Sequence, residues 1–155
     1  MTRGEEIIQL QLWDTAGTEK YNSMGASFYR NSESCILVFD LTNQDSFRNV
    51  ENWRKEFLRI LNPPDASTFP FILFGNKCDL SNDIKISDEQ INDYCREHNN
   101  MPYFATSAKE AINLEEAFNK VADMAFIRNT QNEESFVPKN FVKVAKNEPK
   151  KKKCC

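Results

Sequence analysis

An α/β fold, built on a parallel sheet with helices on both faces, is the class this sequence predicts. Three observations carry it. Cys35–Leu41 and Phe69–Gly75 are nearly continuous apolar runs of strand length, as expected for strands buried on both faces. The segments between and after them show apolar residues at three- and four-residue spacing, the period of amphipathic helices. Strand and helix signals alternate along the chain, which is the pattern of parallel crossover units.

The elements are justified in order. Glu5–Trp13 reads EEIIQLQLW, with Ile8, Leu10 and Leu12 on one side and Gln9 and Gln11 on the other. That alternation predicts a strand with one polar face. Asp14–Ser32 reads as loop, with Gly17 and Gly25 and one helical turn around Phe28. After the strand Cys35–Leu41, a helix is predicted over Asp45–Leu61, carrying Phe47, Val50, Trp53, Phe57 and Leu61 on one face. Asn62-Pro63-Pro64 stops it, because a residue before proline avoids the helical region. Ser87-Asp88-Glu89-Gln90 is a capping-box pattern that opens a helix running to about His98. Pro102–Ser107 is a short strand. Asn113-Leu114-Glu115-Glu116 opens the last helix, with Leu114, Ala117, Phe118, Val121 and Ala125 as its apolar stripe. From Asn129 the periodicity fades. The expected organisation is therefore one domain over 1–128 and a flexible basic tail over 129–155.

Composition narrows the function classes. The 155 residues suit one domain. With 40% hydrophobic and 28% charged residues, the chain can build a core and is too apolar to be disordered. Its apolar runs fall far short of the ~20 residues of a membrane-spanning helix. No apolar leader opens the sequence, so secretion is not expected. The five cysteines are scattered, without a Cys-x-x-Cys pair, and there is a single histidine, His98. That pattern suits a reducing compartment rather than a zinc site. Residues 139–153 hold seven lysines and one acid, Glu148, or +6, so with a net charge of −3 the rest of the chain carries −9. An acidic body with a basic tail does not suit nucleic acid; it suits a tethered domain whose tail favours an anionic surface.

The polar motifs follow strands. In open α/β sheets, ligands bind outside the carboxyl ends of the strands. Asp14 follows the first predicted strand, Asn76-Lys77-Cys78-Asp79 the third, and Ser107-Ala108-Lys109 the fourth. All three clusters are expected to meet on one edge of the sheet. The Asp79 carboxylate can accept two parallel N–H bonds from guanine N1 and N2. Adenine lacks those donors, and a site built on such bonds rejects it by roughly 10⁴. Asn76 can bond the base or tie loops together. The Lys77 stem can cover the ring, the Ala108 N–H can meet guanine O6, and Lys109 can pack above. Alone, Asn-Lys-x-Asp suits a solvated turn; followed by Ser-Ala-Lys after the next strand, it points to guanine. Asp14-Thr15-Ala16-Gly17 is a D-x-x-G loop, in which the Asp approaches Mg²⁺ through water and the Gly N–H meets a terminal phosphate.

On these motifs the chain resembles the Rab family of small GTPases. The stretches that carry the resemblance are LQLWDTAGTEKYNSMGASFYR, SCILVFDLTNQDSF, FILFGNKCDL and MPYFATSAKEAINLEEAF, with the lysine-rich end and Cys154-Cys155. They cover almost all of residues 4–128, and their phrasing is most similar to the late-endosome and lysosome Rabs. The resemblance implies a P-loop NTPase-like, three-layer Rossmann-like fold and a GTP/GDP switch that recruits trafficking effectors. It implies GTP, GDP and Mg²⁺ as cofactors, with Asp14, Gly17, Asn76, Lys77, Asp79, Ser107, Ala108 and Lys109 around the nucleotide. Trp13 and Phe28 match two of the family's effector-facing aromatics. Cys154 and Cys155 match the doubly geranylgeranylated terminus, which with a basic patch provides the several signals that stable anchoring needs. The implied partners are Rab escort protein, geranylgeranyl transferase and GDP dissociation inhibitor. The implied place is the cytoplasmic side of late-endosome, lysosome or vacuole membranes, with a cytosolic pool.

Two departures stand beside the match. No G-x-x-x-x-G-K-[ST] occurs, and the four glycines lie at positions 4, 17, 25 and 75. In the family that phosphate loop and the switch I threonine precede the segments seen here. The expected fold is thus an N-terminally truncated GTPase domain, without its first strand, first helix and second strand. Phosphate and Mg²⁺ contacts carry phosphoryl transfer, so negligible GTP hydrolysis is expected. The lost strand would leave an open sheet edge and an apolar cleft, so marginal folding or aggregation is expected too. Thr18 occupies the position of the family's water-orienting Gln and is too short to act in the same way. The alternative reading is a non-hydrolysing Rab-like interaction module, or an incomplete gene product.

Overall fold

The computed structural model describes residues 2–3, 6–15, 29 and 31–136. Its centre is a three-stranded, all-parallel sheet. The strands, numbered in chain order after a short N-terminal hairpin, are β3 (Cys35–Asp40), β4 (Phe71–Asn76) and β5 (Tyr103–Ala105), in the order β3-β4-β5. The helices are α1 (Gln44–Leu61), α2 (Asp88–Glu97) and α3 (Leu114–Phe136).

The side-chain alternation of the strands builds two cores. Leu37, Phe39, Phe71 and Leu73 face one way and pack with Val50 and Phe57 of α1 and Ile91 and Cys95 of α2. Ile72 and Phe74 face the other way and pack with Ala117 and Val121 of α3, flanked by Ile36, Phe104, Phe118 and Met124. Five consecutive residues of β4, Phe71–Gly75, are buried, which is why its sequence shows no polar alternation.

The helix ends follow their caps. Asn43 caps α1: its side chain accepts from the Asp45 N–H at 3.0 Å and the Ser46 N–H at 3.4 Å. Asn62 closes the helix in the left-handed region at φ 46°, donating its N–H to the Leu58 carbonyl at 2.8 Å. The predicted capping box is present: Ser87 Oγ accepts from the Gln90 N–H, and Gln90 Oε1 accepts from the Ser87 N–H. The last helix runs past Asn129 to Phe136, further than its fading apolar stripe predicts. Thr130 Oγ1 donates to the Phe126 carbonyl at 2.7 Å in this continuation. Backbone bonding propagates a polar helix end that a periodicity reading cannot see.

One predicted element is corrected. Glu5–Trp13 is not one strand. Thr2–Arg3 (β1) pairs antiparallel with Glu6–Ile7 (β2), and Ile8–Thr15 has no regular structure. Alternating Ile8, Leu10 and Leu12 supply the side chains of a strand, but a strand also needs a neighbour's ladder. Among the described residues, only the local hairpin pairs with part of this segment.

Candidate functional site

The parallel register brings the strand ends level. Asp40 pairs with Asn76, and Gly75 with Ala105, so three strands deliver their last residues to one edge. Just beyond β4, Lys77 takes φ 67°, the left-handed region that non-glycine residues occupy at a cost. The Cys78 N–H then donates to the Thr106 carbonyl at 3.0 Å, holding the loop against the end of β5.

The second motif is braced as firmly. Ser107 and Ile112 exchange backbone bonds at 3.1 and 3.2 Å, closing the loop that carries Ala108 and Lys109. Ser107 is fully buried, and its Oγ accepts from the Glu110 N–H at 3.1 Å. Asn113 donates from Nδ2 to the Ala105 carbonyl at 2.7 Å. The two motifs meet directly: the Ala108 N–H donates to Asn76 Oδ1 at 3.0 Å. Asn76 thus ties the loops together, one of the two roles its type permits. The Ala108 N–H, expected to face a base oxygen, is engaged with Asn76 here.

Asp79 is half-buried, and its carboxylate makes no hydrogen bond or ion pair with the described residues. Lys77 is not idle: its Nζ lies 2.6 Å from Asp40 Oδ2. Asp40 Oδ1 accepts from the Thr42 N–H at 2.8 Å and from Thr42 Oγ1 at 2.7 Å. Partial desolvation pushes the Asp40 carboxyl up; the Lys77 and Thr42 bonds outweigh it and hold it below its ordinary range. Sequence reasoning missed Asp40 and Thr42. The available signal was an acid closing the apolar run CILVFD, level with Asn76 in a parallel sheet.

Other predicted residues lie elsewhere. Lys109 is exposed and pairs with Glu110 at 3.1 Å. The expected convergence is seen for the Asn76 and Ser107 loops; Asp14 follows a segment outside any strand. It is exposed, and no hydrogen bond or ion pair links it to the other two loops. With Trp13 it lines a cavity of about 830 Å³, which Ser34–Val38, Trp53, Phe57, Phe74, Phe118 and Val121 also line. These residues come from both sheet faces, so the cavity lies along the unpaired edge of β3. Because Ile8–Thr15 is not paired into the sheet, no ladder carries Asp14 to the common edge. Gly17, Thr18, Phe28, Cys154 and Cys155 lie outside the described residues.

Comparison with known proteins identifies a family and relatives. The family described as "Ras family" matches residues 1–126. The Ras-related protein Rab-7b of Paramecium octaurelia is 39% identical over 155 residues, covering 97% of this chain and 74% of that protein. Rab7 of Pisum sativum is 43% identical, covering 86% and 66%, and RABG3a of Arabidopsis thaliana is 42% identical, covering 95% and 72%. The chain belongs to the Rab branch of the Ras family.

The nucleotide of this family can be tested against this Rab relative's own residues. At the base end the donor set fits: a free carboxylate at Asp79 and a bridged pair, Asn76 and Ala108, stand on one sheet edge. At the phosphate and Mg²⁺ end, the described residues of the D-x-x-G loop are Asp14 and Thr15, both exposed. No group of three or more His, Cys, Asp or Glu able to hold a metal occurs among the described residues. Asp14 stands alone and exposed.

Proposed function

We propose that this Rab-type chain selects guanine nucleotides by their base, as part of a GTP/GDP switch in endosome-to-lysosome or vacuole transport. The observation that carries the reading is the half-buried Asp79 carboxylate, paired with none of the described residues, in the loop whose Asn76 bridges to Ala108. Asp79 would accept from guanine N1 and N2, Lys77 and Lys109 would flank the ring, and the Ala108 N–H would turn from Asn76 to O6. Ser107 holds its loop in place for that exchange. Asp14 and Gly17 are proposed for the Mg²⁺ and phosphate end, with Asp14 reaching the ion through water, and Thr18 for the place of the attacking water. The 155 residues contain no G-x-x-x-x-G-K-[ST], so hydrolysis by these residues is not part of the proposal. Trp13 is exposed and, with Phe28, is proposed as the effector surface. Cys154 and Cys155 are proposed as prenylation sites behind the lysine run, through Rab escort protein, geranylgeranyl transferase and GDP dissociation inhibitor. They would place the chain on the cytoplasmic side of late-endosome, lysosome or vacuole membranes, with a cytosolic pool.

The test is base selectivity. GMP, XMP and AMP are titrated into the chain and into Asp79→Asn, with chemical shifts of the Asn76–Asp79 and Ser107–Lys109 amides as the readout. GMP should bind at least about tenfold tighter than AMP, because AMP leaves the carboxylate unpaired. Asp79→Asn should lose GMP and gain XMP, whose C2 oxygen accepts from the new amide. Equal binding of GMP and AMP, or indifference to Asp79→Asn, would overturn the reading.

A further inference from the structure

We infer that Asp40 is a positioning residue of the base site, clamping the Lys77 ammonium so that the lysine stem forms a fixed wall beside Asp79. This rests on the base-site reading above and adds a residue outside both motifs. Three features of the geometry support it.

The first is division of labour within one carboxylate. Oδ1 is taken twice by Thr42, through its N–H and its hydroxyl, while Oδ2 meets Lys77 Nζ at 2.6 Å. Thr42 thereby sets the carboxylate plane, and the second oxygen is left for the ammonium. The second is the backbone. Ser46 Oγ accepts from the Asp40 N–H at 3.0 Å and donates to the Asn43 carbonyl at 2.7 Å, and the Leu41 N–H donates to the Asn76 carbonyl at 3.0 Å. Both ends of the clamp are fixed to the same pair of strands.

The third is where the clamp lies. Lys77 leaves the end of β4 in a left-handed conformation and reaches sideways to the end of β3. Its methylenes therefore run along the sheet edge from the end of β4 to the end of β3, two residues before Asp79 in the same loop. The Asp40 side chain is 21% exposed and the Lys77 side chain 51% exposed, so the ion pair itself adds little to stability. Its effect is on order. A free lysine side chain carries rotamer entropy, and a clamped one has lost part of it before a ligand arrives.

The experiment uses the full chain and four forms: wild type, Asp40→Asn, Lys77→Met and the double variant. Asparagine keeps the oxygen that Thr42 holds, so the local turn is retained while the ionic partner is lost. Without nucleotide, the side-chain resonances of Lys77 in lysine-labelled protein should show a restrained ammonium, released in Asp40→Asn. With GMP, Asp40→Asn should bind roughly fivefold more weakly than wild type, and the double variant no more weakly than Lys77→Met alone. An unchanged Lys77 signal in Asp40→Asn would overturn the inference. So would an equal loss from Asp40→Asn in the Lys77→Met background, because a merely structural role adds independently. If GMP is preferred to AMP but Asp40→Asn is neutral, Asp40 alone fails. If GMP and AMP bind alike, the base-site reading fails and the clamp's role fails with it.

Discussion

At the scale of single residues, two charges organise more of this molecule than their neighbours in sequence suggest. Glu51 of α1 binds Arg54 at 2.8 and 3.0 Å, accepts from Tyr94 Oη at 3.1 Å, and lies 3.3 Å from His98 Nε2 and 3.4 Å from Lys55 Nζ. It thus joins α1 to α2. The Arg54 hydrogen bonds dominate and hold the Glu51 carboxyl down to about 2, against an ordinary value of 4.5. A depressed acid stabilises the fold fully above its ordinary value and loses that contribution as pH falls toward its folded value. His98 acts in the same direction: burial, reinforced by Arg54, lowers its pKa, so acidification costs stability there as well. In a sealed interior the Glu51 shift would be worth about 3 kcal/mol; solvent at this site reduces it to roughly 1. Glu51→Gln should therefore lower stability at neutral pH by about 1 kcal/mol and flatten the acid limb between pH 4.5 and 2, read by urea unfolding across pH. An unchanged acid limb would refute it. Glu51 and Arg54 are legible as an i,i+3 pair, but Tyr94 and His98 are not, because the turn of α2 onto α1 is a tertiary fact. Arg128 is a stronger case. It is 12% exposed, forks onto Asp65, reaches Glu33 and the Ser32 carbonyl, and lies 4.6 Å from the Phe69 ring. Its partners stand up to 96 residues away, and nothing local marks it.

At the scale of elements, legibility followed burial on both faces. β3 and β4 were readable because a parallel strand between two helical layers must be apolar throughout, and their observed limits differ from the predicted ones by one or two residues. α1 was readable from the three- and four-residue spacing of its apolar face, and α2 because Ser87 begins it with cap chemistry. The failure of Glu5–Trp13 has the opposite cause: alternation reports which side chains could pack, not whether a ladder exists to pair them. The same limit applies to the candidate site. The Asn76 and Ser107 loops stand together because β4 and β5 exist and are in register, whereas Asp14 follows a segment that no ladder fixes. Gly75 shows how tightly the strand ends are fitted. A Cβ there would lie 2.8 Å from Tyr103 Oη, 3.0 Å from Tyr103 Cε2 and 3.1 Å from Leu41 Cδ2. Gly75→Ala should cost about 1–3 kcal/mol by chemical denaturation, as overpacking forces those neighbours apart. Adding Tyr103→Phe, which removes the nearest atom, should recover part of that loss. A neutral Gly75→Ala would show that Tyr103 yields freely.

At the scale of the whole molecule, the sheet formed by the described residues has an unpaired edge along β3 as well as along the shorter β5. β4 is covered on both faces and paired on both edges, whereas β3 pairs only with β4 among the described residues. Beside its free edge lies the cavity of about 830 Å³, and three of the apolar residues around it are poorly covered. Val38, in the middle of β3, is 57% exposed; Leu12 and Trp13 are 60% and 57% exposed. The strand's alternation explains Val38: it points to the α3 side, where Ile36 is packed but the helix does not reach the open edge. An unpaired, apolar, six-residue edge is a template for another strand, and natural edges are blunted by a lysine or a bulge. This edge carries neither, so its open backbone and apolar rim work together. The 155-residue chain should therefore self-associate at micromolar concentration, and Val38→Lys should raise the concentration at which it does so by about tenfold. A charge there meets no buried partner, since the position is already more than half exposed, and the two cores keep every residue they have. Sedimentation velocity over a concentration series compares the two forms. Monomeric wild type with a cooperative thermal transition would mean that residues 8–15 already protect the edge, and Val38→Lys would then have no association to suppress.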